Sequence, residues 1–165
     1  MAPLVKTLVV LNDAICKAVK IVVAGLATVM VSAIIWQVFM RYVFNRPPSW
    51  TEELALLMFT WSMLLMTAVG VRESFHVRMD LLLQRLSARG KEWLERATAL
   101  VIAGFGLYLA WAGVVYVHDT HGSTSAAIAY AIDWLHGAAP VAGGLIAWFA
   151  LERVLVGMAE EGSAT

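Results

Sequence analysis

Residues 21–40 read IVVAGLATVMVSAIIWQVFM, twenty consecutive residues without an Asp, Glu, Lys, Arg or His. At 1.5 Å per residue, a helix of this length covers roughly 30 Å, the hydrocarbon thickness of a bilayer. Three further runs have the same character. Residues 54–71 read LALLMFTWSMLLMTAVGV, and residues 97–117 are likewise free of charge. Residues 134–151 carry no Asp, Glu, Lys or Arg, but include His136 and Pro140. In hydrocarbon every backbone N–H and C=O needs an internal partner, so these runs are read as helices. Their extents are taken as about 21–43, 52–71, 97–117 and 134–157.

Composition supports the same class. The 165 residues are 61% hydrophobic and 15% charged, whereas a soluble domain averages about 45–50% apolar and about 25% charged. A soluble core of this size could not hide so much apolar surface, and the bilayer supplies the second apolar solvent. Formal net charge is zero, so no charge bias points to nucleic acid. The single cysteine, Cys16, excludes an internal disulfide. Lys6, Asp13, Lys17 and Lys20 interrupt the first twenty residues, so an uncleaved start is expected, and Asp13 argues against a lipoprotein site at Cys16. The whole chain, 1–165, reads as one membrane domain, with no internal repeat and no linker that would divide it.

Basic residues orient it. With the N-terminus cytoplasmic, Lys6, Lys17, Lys20, Arg72, Arg78, Arg85, Arg89, Lys91, Arg96 and Arg153 lie inside, and only Arg41 and Arg46 lie outside. The positive-inside rule selects this orientation, with both termini cytoplasmic. Two segments read as interfacial amphipathic helices. One is the N-terminal stretch, where Lys6, Asp13, Lys17 and Lys20 share a face. The other is 72–96, where Phe75, Met79 and Leu86 recur among charges and Gly90 is expected to end the helix. Residues 126–132 read as a short interfacial piece before the last span.

The most distinctive stretch is residues 37–53, QVFMRYVFNRPPSWTEE. Pro47 and Pro48 cannot continue a helix. Ser49, three residues before Glu52, has capping-box spacing, and acidic charge suits a helix N-terminus. Capping accounts for Glu52 and Glu53 on one reading; a fixed acidic and aromatic patch that docks a partner accounts for them on the other. Arg41 just beyond an apolar run needs a counter-charge or a route to water, and Glu52 or Glu53 would return to its depth. His76 and Asp80, four apart, share a helix face, but two ligands do not make a metal site. His118, Asp119 and His121 read as a polar loop at a helix end, with a regulatory metal site as the weaker alternative. Ala99 with Ala103, Gly106 with Ala110, and Gly143 with Ala147 have the four-residue spacing of close helix packing. Phosphate loops, HExxH, GxSxG and cysteine clusters are all absent from the sequence, and no span has a charged residue near its middle. An enzyme is therefore not expected.

Arg41 with its aromatic neighbours, Phe44-Asn45, Arg46 and proline, then Trp50-Thr51-Glu52-Glu53, resembles the DctQ-like small membrane subunit of tripartite ATP-independent periplasmic (TRAP) transporters. Arg72, His76 and Asp80 match a pattern after the second span, and Ser125, Pro140 and Gly143 resemble the final segment. The likeness runs from about residue 15 to 157. It implies a scaffold subunit in the bacterial cytoplasmic (inner) membrane. Its partners would be a large multi-span membrane subunit and a periplasmic solute-binding protein, in symport of a solute that is often an organic acid. Sodium or another coupling ion would bind in the large subunit, with no cofactor in this chain. Arg41, Asn45, Arg46, Trp50, Glu52 and Glu53 would form the periplasmic end, with Arg72, His76 and Asp80 ordering the cytoplasmic side. Two rivals belong to other classes: a haem-bearing respiratory anchor using His118 and His136, and a stand-alone small transporter.

Overall fold

The computed structural model describes residues 3–73 and 88–161, with side chains described over 7–73, at 90 and over 93–154. His76, Asp80 and the amphipathic stretch around Phe75, Met79 and Leu86 lie outside the described residues. Five helices are described: α1 (Pro3–Phe44), α2 (Trp50–Glu73), α3 (Ala88–Asp119), α4 (Asp133–His136) and α5 (Ala138–Glu161). Four stretches are long and apolar enough to cross a membrane: Thr7–Phe44, Trp50–Glu73, Trp93–Asp119 and Asp133–Val154. The protein is an all-α multi-pass membrane protein.

The four spans run up and down, so residues 45–49 and 120–132 share one end, and the start of α1 and the end of α5 lie at the other. Packing follows the order α1, α2, α5, α3. The most extensive contact is between α3 and α5, followed by α1 on α2 and α2 on α5. The core forms where α2, α3 and α5 meet, from Ala68, Val71, Ala103, Ile146, Phe149 and Ala150. The spanning part of α5 is the most buried of the four and that of α1 the least.

Small residues explain the closeness of α3 and α5. A Cβ added at Gly143 would stand 2.5 Å from the Ala110 nitrogen and 2.7 Å from the Gly106 carbonyl oxygen. Gly106 in turn faces the Ala147 nitrogen, where an added Cβ would stand at 2.6 Å. The four-residue ladders of Gly106 with Ala110 and Gly143 with Ala147 therefore face each other, and backbone meets backbone. Several hydroxyls within the spans are satisfied locally, while the Ser62 hydroxyl in α2 is buried without a hydrogen-bond partner among the described residues. Thr28, Ser32, Thr60 and Thr67 each donate to the carbonyl four residues earlier, as apolar surroundings require.

Several boundaries differ from the sequence reading. The N-terminal amphipathic segment is not a separate helix, because α1 runs unbroken from Pro3 to Phe44. Lys17 and Lys20 are exposed, and long lysine stems let a helix carry charge through the interface without breaking. Gly90 lies inside the first turn of α3 rather than ending a helix. Residues 120–132 are not helical. They form a tight loop closed by the Thr124–Ala131 bridge, with Ser125 N–H donating to Tyr130 at 2.9 Å and Ile132 N–H to Ser123 at 3.0 Å. The last span breaks at Gly137 and not at Pro140. Proline in the first turn of α5 costs nothing, since an N–H there has no intrahelical partner to lose.

Candidate functional site

Polar side chains gather at the two ends of the bundle. On α2 the two gatherings are twenty residues apart, from Glu52 to Arg72, which is about 30 Å along a helix axis. This spacing matches the hydrocarbon thickness, so the clusters mark the two membrane boundaries.

At the first end, α1 stops at Asn45, which takes the left-handed conformation (φ 51°) common where helices terminate. The Arg46 N–H reaches back to the Met40 carbonyl at 3.3 Å. The prolines carry the chain across, and α2 begins at Trp50. The fully buried Thr51 donates its hydroxyl to the Pro48 carbonyl at 2.7 Å. Glu52 and Glu53, neighbours in sequence, leave the helix toward different elements. Glu52 Oε1 accepts from Gln37 Nε2 at 2.6 Å and lies 3.8 Å from Arg41 Nη2. The expected pairing of Arg41 is present, on an exposed surface where it contributes little energy. Glu52 thus turns toward α1, and does not reach back to Ser49 as a capping box would.

Glu53 turns to the other connection. Its Oε2 accepts from the Ser125 hydroxyl at 2.6 Å and the Ile128 N–H at 2.9 Å, and its Oε1 from the Ala127 N–H at 2.8 Å. Successive backbone N–H groups curling around an anion make a nest, and here the anion is the protein's own carboxylate. Ala129 is held at φ 58°, a conformation unfavourable for a side chain with a Cβ, so the loop's shape is bought by this anchoring. Burial, and after it the charge of Glu53, pushes the Tyr130 phenol above its ordinary pKa. Trp50 stands half-exposed at the helix start, and Tyr42 and Phe44 are exposed. Trp36, Phe39 and Phe44 touch in sequence, the first pair tilted and the second edge-on, with centroids 5.9 Å apart at each step, forming an aromatic band at this boundary.

The same end carries the histidines. His121 Nδ1 lies 2.7 Å from Asp133 Oδ2. His136 Nδ1 lies 2.9 Å from the Thr120 hydroxyl, and its ring packs 4.4 Å from Tyr116. His118 is exposed beside Asp119. The His118 and His136 of the haem rival therefore do not face each other across the bundle. Trp61 Nε1–H donates to the Trp134 carbonyl at 2.8 Å, tying α2 to α4.

At the second end, Arg72 joins three helices. Its Nη1 lies 2.8 Å from Asp13 Oδ1 on α1 and its Nε 3.3 Å from Glu152 Oε2 on α5. Its Nη2 donates to the Val9 carbonyl at 3.4 Å, and the guanidinium sits 5.9 Å from the centroid of Phe149. Arg153 donates to the Val71 carbonyl at 3.3 Å, and Lys20 pairs with Glu73. The fully buried Asn12 accepts from Trp148 Nε1–H at 2.8 Å. Arg72 thus binds the N-terminal part of α1 to the end of α5.

Of the residues singled out in the sequence, Arg41 and Glu52 come together, Glu53 stands apart from them, and Arg72 belongs to the opposite end. Sequence reasoning missed Asn12, Trp148 and Glu152, and the pairing of Asp13 with Arg72. Glu152 carried one usable sign: it is the first acid after the last apolar run, and an acid at a span boundary needs a cation at its depth.

The family described as "Tripartite ATP-independent periplasmic transporters, DctQ component" matches residues 30–160. The chain is similar to the sialic acid TRAP transporter small permease protein SiaQ of Vibrio cholerae serotype O1, with 26% identity over 137 residues, 82% of this chain and 78% of that protein. It is also similar to the C4-dicarboxylate TRAP transporter small permease protein DctQ of the same organism, with 38% identity over 64 residues, 39% of this chain and 26% of that protein. The matched residues include three complete spans, the last third of α1 and every contact of Glu53, and they make the protein a transport component and not an enzyme: it belongs to the DctQ family of tripartite ATP-independent periplasmic transporters.

Proposed function

We propose that this chain is the small scaffold subunit of an ion-gradient-driven, binding-protein-dependent importer of an organic acid in a bacterial inner membrane. It packs against a large multi-span subunit, which holds the solute and the coupling ion, sodium or another cation. A periplasmic binding protein delivers the solute at the end formed by Arg41, Asn45, Arg46, Trp50, Glu52 and Glu53. The opposite end, with Arg72 and the connector that contains His76 and Asp80, faces the cytoplasm.

The observation that carries this reading is where the charges are. Residues 21–40, 54–71, 97–117 and 138–151 contain no Asp, Glu, Lys, Arg or His. Arg41, Glu52 and Glu53 are tied in at one boundary, and Asp13, Arg72 and Glu152 at the other. A path for an ionic solute needs polar or ionisable groups, or an unwound helix, near the midplane. The only helix break in a described span, at Gly137, lies at its end. The groups a transporter needs are thus supplied by another chain. Ten basic residues against two support the orientation. An organic acid is supported by the two relatives, whose names specify sialic acid and C4-dicarboxylates.

Purification from native membranes in mild detergent through a C-terminal tag, with mass spectrometry of the co-purifying proteins, tests the assignment. A stoichiometric, much larger multi-span protein is expected. Isolation alone, or with redox subunits, would overturn it.

A further inference from the structure

Depth in the membrane can be read from contacts between helices. Gly143 meets Gly106 and Ala110 of α3, and along α5 it stands roughly 14 Å from Glu152, which pairs with Arg72 at the second boundary. That is about half the hydrocarbon thickness. Tyr108 therefore lies at mid-depth, and Trp111 is one turn further along α3. Helical side chains lean toward the start of their helix, so Trp111 leans back toward the midplane and away from the nearer boundary.

Most indoles and phenols of the chain are placed as a bilayer requires. Trp36, Trp50, Trp93 and Trp134 lie near span ends; Trp36, for instance, is next to Gln37, which bonds Glu52 at the first boundary. Trp61 and Trp148 lie deeper, and each donates its N–H at 2.8 Å, to the Trp134 carbonyl and to Asn12. Trp111 and Tyr108 are the exceptions. They are 66% and 63% exposed, their rings touch at 6.1 Å, and neither has a hydrogen-bond acceptor among the described residues. An indole N–H or a phenol O–H away from water needs a partner, and acyl chains offer none.

Both rings stand on the side of α3 opposite Ala103, Gly106 and Ala110, which meet α5. Because α3 ends the row of helices, nothing in the chain covers this side. Val101 and Phe105 continue the exposed ridge, and Gly104 notches it, with nothing within 4 Å of an added Cβ. A notch of this kind lets another backbone approach closely. A second copy packed through the same ridge would not satisfy it. Indole only donates, so two donors from each copy would meet only the phenol oxygens as acceptors.

From this arrangement we infer that the ridge of Val101, Gly104, Phe105, Tyr108 and Trp111 is the face that packs against the large subunit. Its partner is a helix crossing at Gly104 that presents carbonyls, hydroxyls or amides at mid-depth to Tyr108 and Trp111. This rests on the transporter reading above, in which the polar groups at the midplane belong to the large subunit. The aromatic face of α1 around Trp36 and Phe39 is left to lipid.

The test uses the two membrane subunits expressed together and purified through a tag on this chain. Gly104→Leu fills the notch, and Gly25→Leu is its control on α1, since an added Cβ at Gly25 also finds nothing within 4 Å. The large subunit recovered per copy of this chain is expected to fall roughly tenfold in Gly104→Leu and to stay unchanged in Gly25→Leu. Tyr108→Phe with Trp111→Phe is expected to lower it roughly fivefold. A photo-crosslinking amino acid in place of Phe105 should capture the large subunit, and one in place of Ile35 should not. Full recovery with Gly104→Leu would overturn the inference and leave the transporter reading standing. So would crosslinks from position 105 to lipid alone or to a second copy. If the wild-type chain recovers no large subunit, the transporter reading itself fails and the inference fails with it.

Discussion

The Ser125 hydroxyl donates to the Glu53 carboxylate at 2.6 Å, across 72 residues of sequence. The start of the second span and the connection between the third and fourth are thereby one unit. Two backbone amides complete it, so the carboxylate faces three donors and needs to be an acceptor at both oxygens. Glu53→Gln puts an amide NH2 against at least one of these donors. Amide hydrogen exchange at Ala127 and Ile128 is expected to accelerate roughly tenfold in this variant, while the spans keep their protection. Ser125→Ala removes one donor and leaves both amides on the carboxylate, so it is expected to affect them less. Equal exchange in wild type and Glu53→Gln would contradict the nest.

At the opposite boundary Arg72 neutralises Glu152, and both are largely shielded, with side chains 14% and 7% exposed. Replacing Arg72 by Leu strands the Glu152 charge, a loss of about 3 kcal/mol for a pair in which one partner remains charged and buried. Removing both charges, Arg72→Leu with Glu152→Leu, is expected to recover most of that loss. Asp13 is exposed and is solvated by water when its partner goes. Thermal unfolding in detergent should rank wild type and double variant together, above Arg72→Leu. A double variant no better than the single one would mean that Arg72 works through Asp13 and the Val9 carbonyl.

Gly143 and Gly144 are adjacent and meet different surroundings. A Cβ at Gly143 would run into the backbone of α3, while one at Gly144 finds nothing within 4 Å. Gly143→Ala is expected to force α3 and α5 apart, at about 1–3 kcal/mol, the usual cost of overpacking where the obstacle cannot turn aside. Gly144→Ala is expected to be neutral. Comparable melting temperatures for both variants would mean that the two helices are not in backbone contact there.

Much of this architecture can be read in the sequence, for a physical reason. Hydrocarbon tolerates no unpaired charge, so charge-free runs have to appear wherever the chain crosses, and 21–40, 54–71 and 97–117 each lie inside one helix. The charged faces beside them are less legible. Lys17 and Lys20 look like the end of a separate surface helix, yet α1 passes through them because lysine stems reach water from within the boundary. The Arg41–Glu52 pair is legible because a short turn returns the chain to the same depth. The partners of Arg72 and Glu53 are not, since Asp13, Glu152 and Ser125 reach them only after the helices have packed. The break in the last span falls at Gly137, and Pro140, in the first turn of α5, disturbs nothing.

A chain that holds a transport subunit in place should conduct nothing itself. The direct measurement is solute uptake into proteoliposomes under an imposed ion gradient, with loaded binding protein outside. Liposomes with this chain alone, with the large subunit alone and with both are compared. Uptake is expected only when both are present. Gradient-driven uptake by this chain alone would contradict the scaffold role.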